Sequence, residues 1–441
     1  MKNKDKNIST FFLIISILFL FYTIYKSEYV WSGNKIEYYF QYYIFSIILI
    51  IFSILSYLIK KIFKVYLLII SISLFFGLYL FEGYLVFFKK SLNETMYYKN
   101  DIGEKYDSRS RLEVFKDLKK NDIDNAIAIY PTGYLNKINE SIIPLSGISN
   151  IKTILCNENG EYSMYKSDRY GFNNNDLEWD KNQIEYLLIG DSYTHGACVK
   201  REENIGGQLK IISKKNILNL GYGGNGPLLE LATLREYLPQ KKVKYVIWLY
   251  FEGNDIINLE EELKHPILNK YFKDPNYSQN LVNKQDIIDE LSKKRIQSAL
   301  SKNNTNKIFF KKLKNFLKLS AFRDLVQPTD IESLPEPLVK KEFFDIIGSA
   351  KEFIEKNNSK MFFVYLPEPQ RYISENFYNP NYLEIKNIIE SMDIIFIDPN
   401  ENFLKDLHNI NAIFPLNCLE CGHLNKEGYK LLAEDLYKNI N

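Results

Sequence analysis

The run Tyr186–Ile189 is wholly apolar or aromatic and breaks off in Gly190-Asp191-Ser192. A hydroxyl at the end of a buried strand is either a nucleophile or the cap of the helix that follows. Serine attacks a carbonyl only when a neighbouring imidazole takes its proton, and the same imidazole later returns that proton to the leaving group. His423, at the end of Glu420-Cys421-Gly422-His423 and just ahead of a helical stretch, is the natural base. A carboxylate behind the ring would hold its tautomer and stabilise the imidazolium. Glu420 can serve if its side chain folds back; otherwise a backbone carbonyl would leave a Ser–His dyad. Two further polar clusters, "NLGYGGNGP" (219–227) and "FEGNDI" (251–256), each follow another apolar run.

In this order the four clusters resemble the blocks of the SGNH (GDSL-type) hydrolase family of serine esterases and acyl-transfer enzymes. The resemblance covers Tyr186 to the end of the sequence, apart from one insertion, and departs from the family in carrying Glu420 where a DxxH block has Asp. It implies a Ser192 nucleophile, a His423 base, and an oxyanion hole made by the Ser192 and Gly224 N–H groups and the Asn254 amide. It implies no cofactor, and as substrate an acylated carbohydrate or other ester, with water or a sugar hydroxyl as acceptor. A non-catalytic glycan-binding or assembly protein is the rival from a different class. His195 either lines the pocket or packs structurally.

With Ser192 and His423 sharing a hydrogen bond, Cys198 comes close to Cys418 and Cys421. A bridge from Cys198 to Cys418 or Cys421 is expected, with Cys418 slightly preferred, and with Cys156 pairing the remaining cysteine or staying free. Zinc held by Cys198, Cys418, Cys421 and His423 is the competing use of these residues. It would take His423 from catalysis, so no metal is expected.

Positioning these residues requires a scaffold, and the pattern of short apolar runs supplies one. Tyr186–Ile189, Ile217–Leu220, Val243–Tyr250, Met361–Leu366 and Ile394–Ile397 read as strands buried on both faces. Helical stretches between them, such as Leu228–Tyr237 and Val339–Lys356, predict a parallel-sheet, three-layer α/β/α domain over 181–441. In such sheets sites form at the carboxyl ends of the strands. Residues 91–180 read as an irregular lead-in, with a helix at Arg111–Lys120 and a short strand at Ala126–Tyr130. The insertion 257–337 carries an apolar stripe, Phe309, Phe310, Leu313, Phe316 and Leu317, beside several lysines. Such a stripe suits a membrane surface, but packing on its own domain is the expected outcome.

Residues 1–90 contain three charge-free runs, Ile8–Tyr25, Tyr38–Ile59 and Val65–Phe81, each close to the ~20 residues that span a bilayer. Lys2, Lys4 and Lys6 precede the first, and Lys60, Lys61 and Lys64 separate the second from the third. That bias predicts a cytoplasmic N-terminus and an extracytoplasmic soluble domain, where disulfides persist. Glu82 is expected at the outer interface, reaching water. A net charge of +2 excludes a nucleic-acid-binding surface as the main business of the chain.

Overall fold

The computed structural model describes residues 2–30, 36–88, 107, 109–121, 123–137, 140–301, 310, 313–326, 339–372, 379–417 and 422–440. The chain divides into two compact units, Met1–Lys90 with Thr305–Pro328, and Ser91–Asn304 with Thr329–Asn441.

The first unit is built on three helices long and apolar enough to cross a membrane, Lys6–Tyr29, Tyr39–Leu58 and Lys61–Val86, with mean hydropathies of 2.2, 1.9 and 2.1. Within them the hydroxyls of Ser16, Ser46 and Ser53 donate to backbone carbonyls one turn earlier, as side chains without water nearby do. Ser16 and Ser53 hydroxyls meet at 2.9 Å between the first two spans. The large apolar side chains mostly point outward, Phe75 and Phe76 each 63% exposed.

Two expectations fail in this unit. The described part of the insertion's apolar stretch packs within this unit: Phe316 sets its ring edge-on to Tyr79 of the third span at 5.2 Å, and the Tyr79 hydroxyl donates to the Leu317 carbonyl at 3.0 Å. Glu82 does not reach water either. It is fully buried and accepts the N–H groups of Ala321 and Phe322, at 2.9 and 2.7 Å. A carboxylate beside an apolar span needs such partners, and the insertion's backbone is what lies within reach.

The soluble unit contains two sheets. A small one is formed by β1 (Asn125–Ile127), β2 (Lys152–Ile154) and β3 (Met164–Lys166), with β2 parallel to β1 and antiparallel to β3. The larger sheet is formed by β4 (Gln183–Gly190), β5 (Ile217–Asn219), β6 (Lys242–Phe251), β7 (Lys360–Leu366) and β8 (Ile395–Ile397). All its neighbours are parallel, in the order β5-β4-β6-β7-β8. Side chains alternate between its faces. Leu187 and Ile189 of β4 join one core with the helices Pro227–Tyr237, Lys341–Lys356 and Tyr382–Ser391. Tyr186 and Leu188 join the other with Ile205–Ser213 and Lys426–Ile440. The five runs read as strands are therefore the five strands of a three-layer α/β/α domain.

Helix Pro227–Tyr237 is buried along its whole length, charged residues included. The early part of the insertion covers it: Glu236 accepts the Leu281 N–H at 2.7 Å and the Ser278 hydroxyl at 2.8 Å, and Arg235 donates to the Asp274 carbonyl at 2.9 Å.

Candidate active site

From β4 the chain runs to β5 on one side and to β6 on the other, so the carboxyl end of β4 is the switch point where such sheets open a crevice. Ser192 stands there. Gly190 makes the tight exit possible: a Cβ at this position would collide with the Thr194 side chain and come within 2.8 Å of the Leu249 carbonyl. The turn is capped by Asp191, whose carboxylate accepts the Tyr193 N–H at 2.9 Å. Asp191 thus does the capping, and the Ser192 hydroxyl makes no cap bond.

That hydroxyl lies 2.8 Å from His423 Nε2 and 3.1 Å from Asp191 Oδ2. His423 Nδ1 lies 2.9 Å from Glu158 Oε1, and the other oxygen of Glu158 accepts the His423 backbone N–H at 2.8 Å. A carboxylate on Nδ1 fixes the proton there and leaves Nε2 as the acceptor facing Ser192. The serine proton therefore has its acceptor in place. Burial disfavours the imidazolium of His423, but the hydrogen bond and charge of Glu158, helped by Asp191, outweigh it and hold its pKa above the ordinary value.

The carboxylate at His423 is thus Glu158, which motif reading did not single out. Glu420 lies outside the described residues, as do Cys418 and Cys421. Glu158 rides the loop between β2 and β3, a hairpin hidden in the segment read as irregular. The loop is stapled to the nucleophile's loop by a disulfide between Cys156 and Cys198, Cα atoms 4.9 Å apart. The expected Cys198–Cys418 bridge is therefore replaced, because the hairpin carrying Glu158 is what brings a cysteine next to Cys198. Cys198 is also removed from any zinc site. Asn159 donates to the Cys198 carbonyl at 3.2 Å, and the Ser163 hydroxyl donates to that of Val199. Gly422 (φ +148°) leaves room for the acid, since a Cβ there would collide with the Glu158 carboxylate. The only sequence sign of Glu158 is its position two residues past a cysteine.

The loop after β5 carries Gly224 in a left-handed conformation, φ +77°, which favours glycine. The backbone on either side of it is anchored. The Gly223 N–H donates to His195 Nδ1 at 3.3 Å, and the Gly224 carbonyl accepts from Asn258 at 3.4 Å. His195 is therefore a buried structural residue, packed against Tyr165 and Tyr222 and hydrogen-bonded through both ring nitrogens. It is buried, its Nε2 is 3.0 Å from the Tyr165 hydroxyl, and burial first, then the charge of His423, pushes its pKa down to about 3. A neutral ring with Nδ1 accepting and Nε2–H donating satisfies both partners.

Asn254 follows β6. It occupies the cap position of helix Asp255–Glu262 but makes no side-chain cap bond, and its buried Oδ1 has no hydrogen-bond partner among the described residues. Asp255 closes this turn instead, accepting the Phe251 N–H at 2.9 Å. The Asn254 carboxamide is left uncommitted at the end of the strand beside β4. Deeper in this region, burial raises the pKa values of Asp255 and Glu230 well above their ordinary values.

The fold and this constellation define a three-layer α/β/α domain with a serine, an imidazole and a carboxylate in line at the sheet's carboxyl edge. Three solved structures similar to the chain can be named. A G-D-S-L family lipolytic protein from Desulfitobacterium hafniense is 16% identical over 59% of this chain and 99% of its own, with TM-score 0.30. A psychrotrophic esterase from Pseudoalteromonas sp. is 12% identical, covering 59% and 97%, TM-score 0.30. An acetylxylan esterase from Geobacillus stearothermophilus is 14% identical, covering 58% and 94%, TM-score 0.30. No family model matches the chain, and no curated protein does. The functional reading below rests on the geometry of the site and not on these likenesses.

Proposed function

We propose that this protein is a membrane-anchored serine esterase of the SGNH type, with Ser192 as nucleophile, His423 as base and Glu158 as the acid that orients it. The observation carrying this is the unbroken line Ser192 Oγ–His423 Nε2, His423 Nδ1–Glu158 Oε1, at 2.8 and 2.9 Å. Ser192 Oγ attacks the ester carbonyl as its proton passes to His423 Nε2. The oxyanion is held by the N–H groups of Ser192 and Gly224 and the Asn254 amide. The alkoxide leaves with the proton from Nε2, and an acyl-serine remains. Water, deprotonated by His423, then releases the acid and restores Ser192. A sugar hydroxyl in place of that water would make the same site an O-acyltransferase.

We place the soluble unit outside the cytoplasm, with acyl groups of a surface glycan as substrate. The lysine bias around the spans supports the orientation, and the Cys156–Cys198 disulfide suits an oxidising compartment. The non-catalytic alternative loses its main support, since the imidazole does have a carboxylate. The test is labelling of the purified chain with a fluorophosphonate, together with turnover of short-chain aryl esters. Covalent labelling at Ser192, and loss of both label and turnover in Ser192→Ala with the fold intact, are expected. Unchanged turnover in Ser192→Ala would overturn the reading.

A further inference from the structure

After the insertion begins, the described residues 316–322 run along the C-terminal end of the third span. Four separate contacts fix them there. Phe316 and Phe322 meet Tyr79 and Phe81 edge-on, the Leu317 carbonyl takes the Tyr79 hydroxyl, and two backbone N–H groups satisfy the buried Glu82. The Glu82 contact is the most telling. A carboxylate within an apolar span is tolerable only if its oxygens are hydrogen-bonded, and here the partners come from a segment more than two hundred residues away in sequence.

The outer surface of the same segment is apolar. Phe310 is 65% exposed, Leu317 61% and Leu325 51%. These exposures match those of the span it lies on, where Leu80 is 60% exposed and Phe76 63%. The exposed apolar side chains of the insertion therefore sit on a segment packed against a span whose own apolar side chains are equally exposed. Lys314 and Lys318 are exposed on the same stretch, and their long stems let the ammonium groups reach a headgroup layer while the chain lies lower.

We infer that Phe310 and residues 313–326, two short helical stretches that turn at Leu319 (φ +50°), form a fourth membrane element at the interface, docked on the third span through Glu82, with Phe310, Leu317 and Leu325 in contact with lipid acyl chains. The occupant is the bilayer that holds the spans. Packing against the third span argues for it, and the adjoining lysines match a headgroup layer.

The test places a photoreactive benzoylphenylalanine at Leu317 in the full chain, reconstituted in vesicles of phosphatidylethanolamine and phosphatidylglycerol with radiolabelled acyl chains. Phe76 on the span and Leu383 on the soluble unit, 59% exposed, serve as references. Leu317 is an outward-facing position, so folding is not at stake. Lipid labelling at Leu317 should be comparable to that at Phe76 and at least ~10-fold above that at Leu383. Labelling at Phe76 but not at Leu317, or a Leu317 cross-link to a second copy of the chain, would overturn the inference. Labelling at neither would overturn the membrane anchor along with it.

Discussion

Ser192 and Glu158 face His423 from opposite sides and are held by different means. Ser192 leaves the end of β4, a strand paired on both sides and buried on both faces, with Leu187, Leu188 and Ile189 fully inaccessible. Moving it would mean moving the core. Glu158 sits in a loop between two three-residue strands at the margin of the domain. Its place is secured by the Cys156–Cys198 staple, the Asn159 and Ser163 contacts to the nucleophile's loop, and the space that Gly422 leaves. The sheet places the proposed nucleophile and oxyanion donors as part of folding. The acid is added from outside by a covalent tie and a few polar contacts, so it is the part of the site that can be loosened without unfolding the protein.

Exchanging the two acids breaks this comparison most directly. Glu158→Gln should lower kcat on the order of 10³- to 10⁴-fold, as loss of a triad carboxylate does, whereas Glu420→Gln should leave it unchanged. Glu158 holds the His423 pKa up against burial, so its loss lets that pKa fall. The base then stays unprotonated to lower pH, and the acid limb of the residual kcat/KM profile should move to lower pH. A large loss in Glu420→Gln with a mild one in Glu158→Gln would return the acid role to the helix-side motif.

On the sheet side, Asn254→Ala should cost ~100-fold or more in kcat with KM little changed, because an oxyanion donor acts in the transition state. The melting temperature should barely move, since the side chain caps nothing. A large fall in stability instead would make Asn254 a structural residue.

The staple should matter less than the acid it holds. Opening a loop of sequence separation 42 forfeits roughly 3–4 kcal/mol in the chain-entropy account. Cys156→Ser, or mild reduction of the native protein, should also lower kcat by ~10- to 100-fold through misplacement of Glu158. Reductant should have no further effect on the Cys156→Ser variant. Full activity after reduction, with free Cys198 thiol measured, would show that the polar contacts alone hold the acid.

His195→Ala should have the smallest effect, about 10-fold or less in kcat, because it acts on Gly224 only through the Gly223 peptide. His195→Gln, which keeps an acceptor, should recover much of that loss. Equal damage in both variants would indicate packing against Tyr222 rather than orientation of the loop.

Much of the architecture was legible in the residues because it is written in local period. Charge-free runs of about bilayer length mark the spans, and short doubly apolar runs mark β4 to β8. Ser192, Gly224 and Asn254 stand at the ends of those runs, so their placement follows once the strands are parallel. What tertiary structure alone decided are choices of partner between segments far apart in the chain. Glu158 rather than Glu420 meets His423, Cys156 rather than Cys418 meets Cys198, and Glu82 is satisfied by Ala321 and Phe322 rather than by water. A carboxylate or a thiol carries no periodic signal. Its partner is whichever compatible group the packed elements bring within about 3 Å for a hydrogen bond, or 4.4–6.8 Å between Cα atoms for a disulfide, and that distance exists only after the sheets, hairpin and spans have assembled.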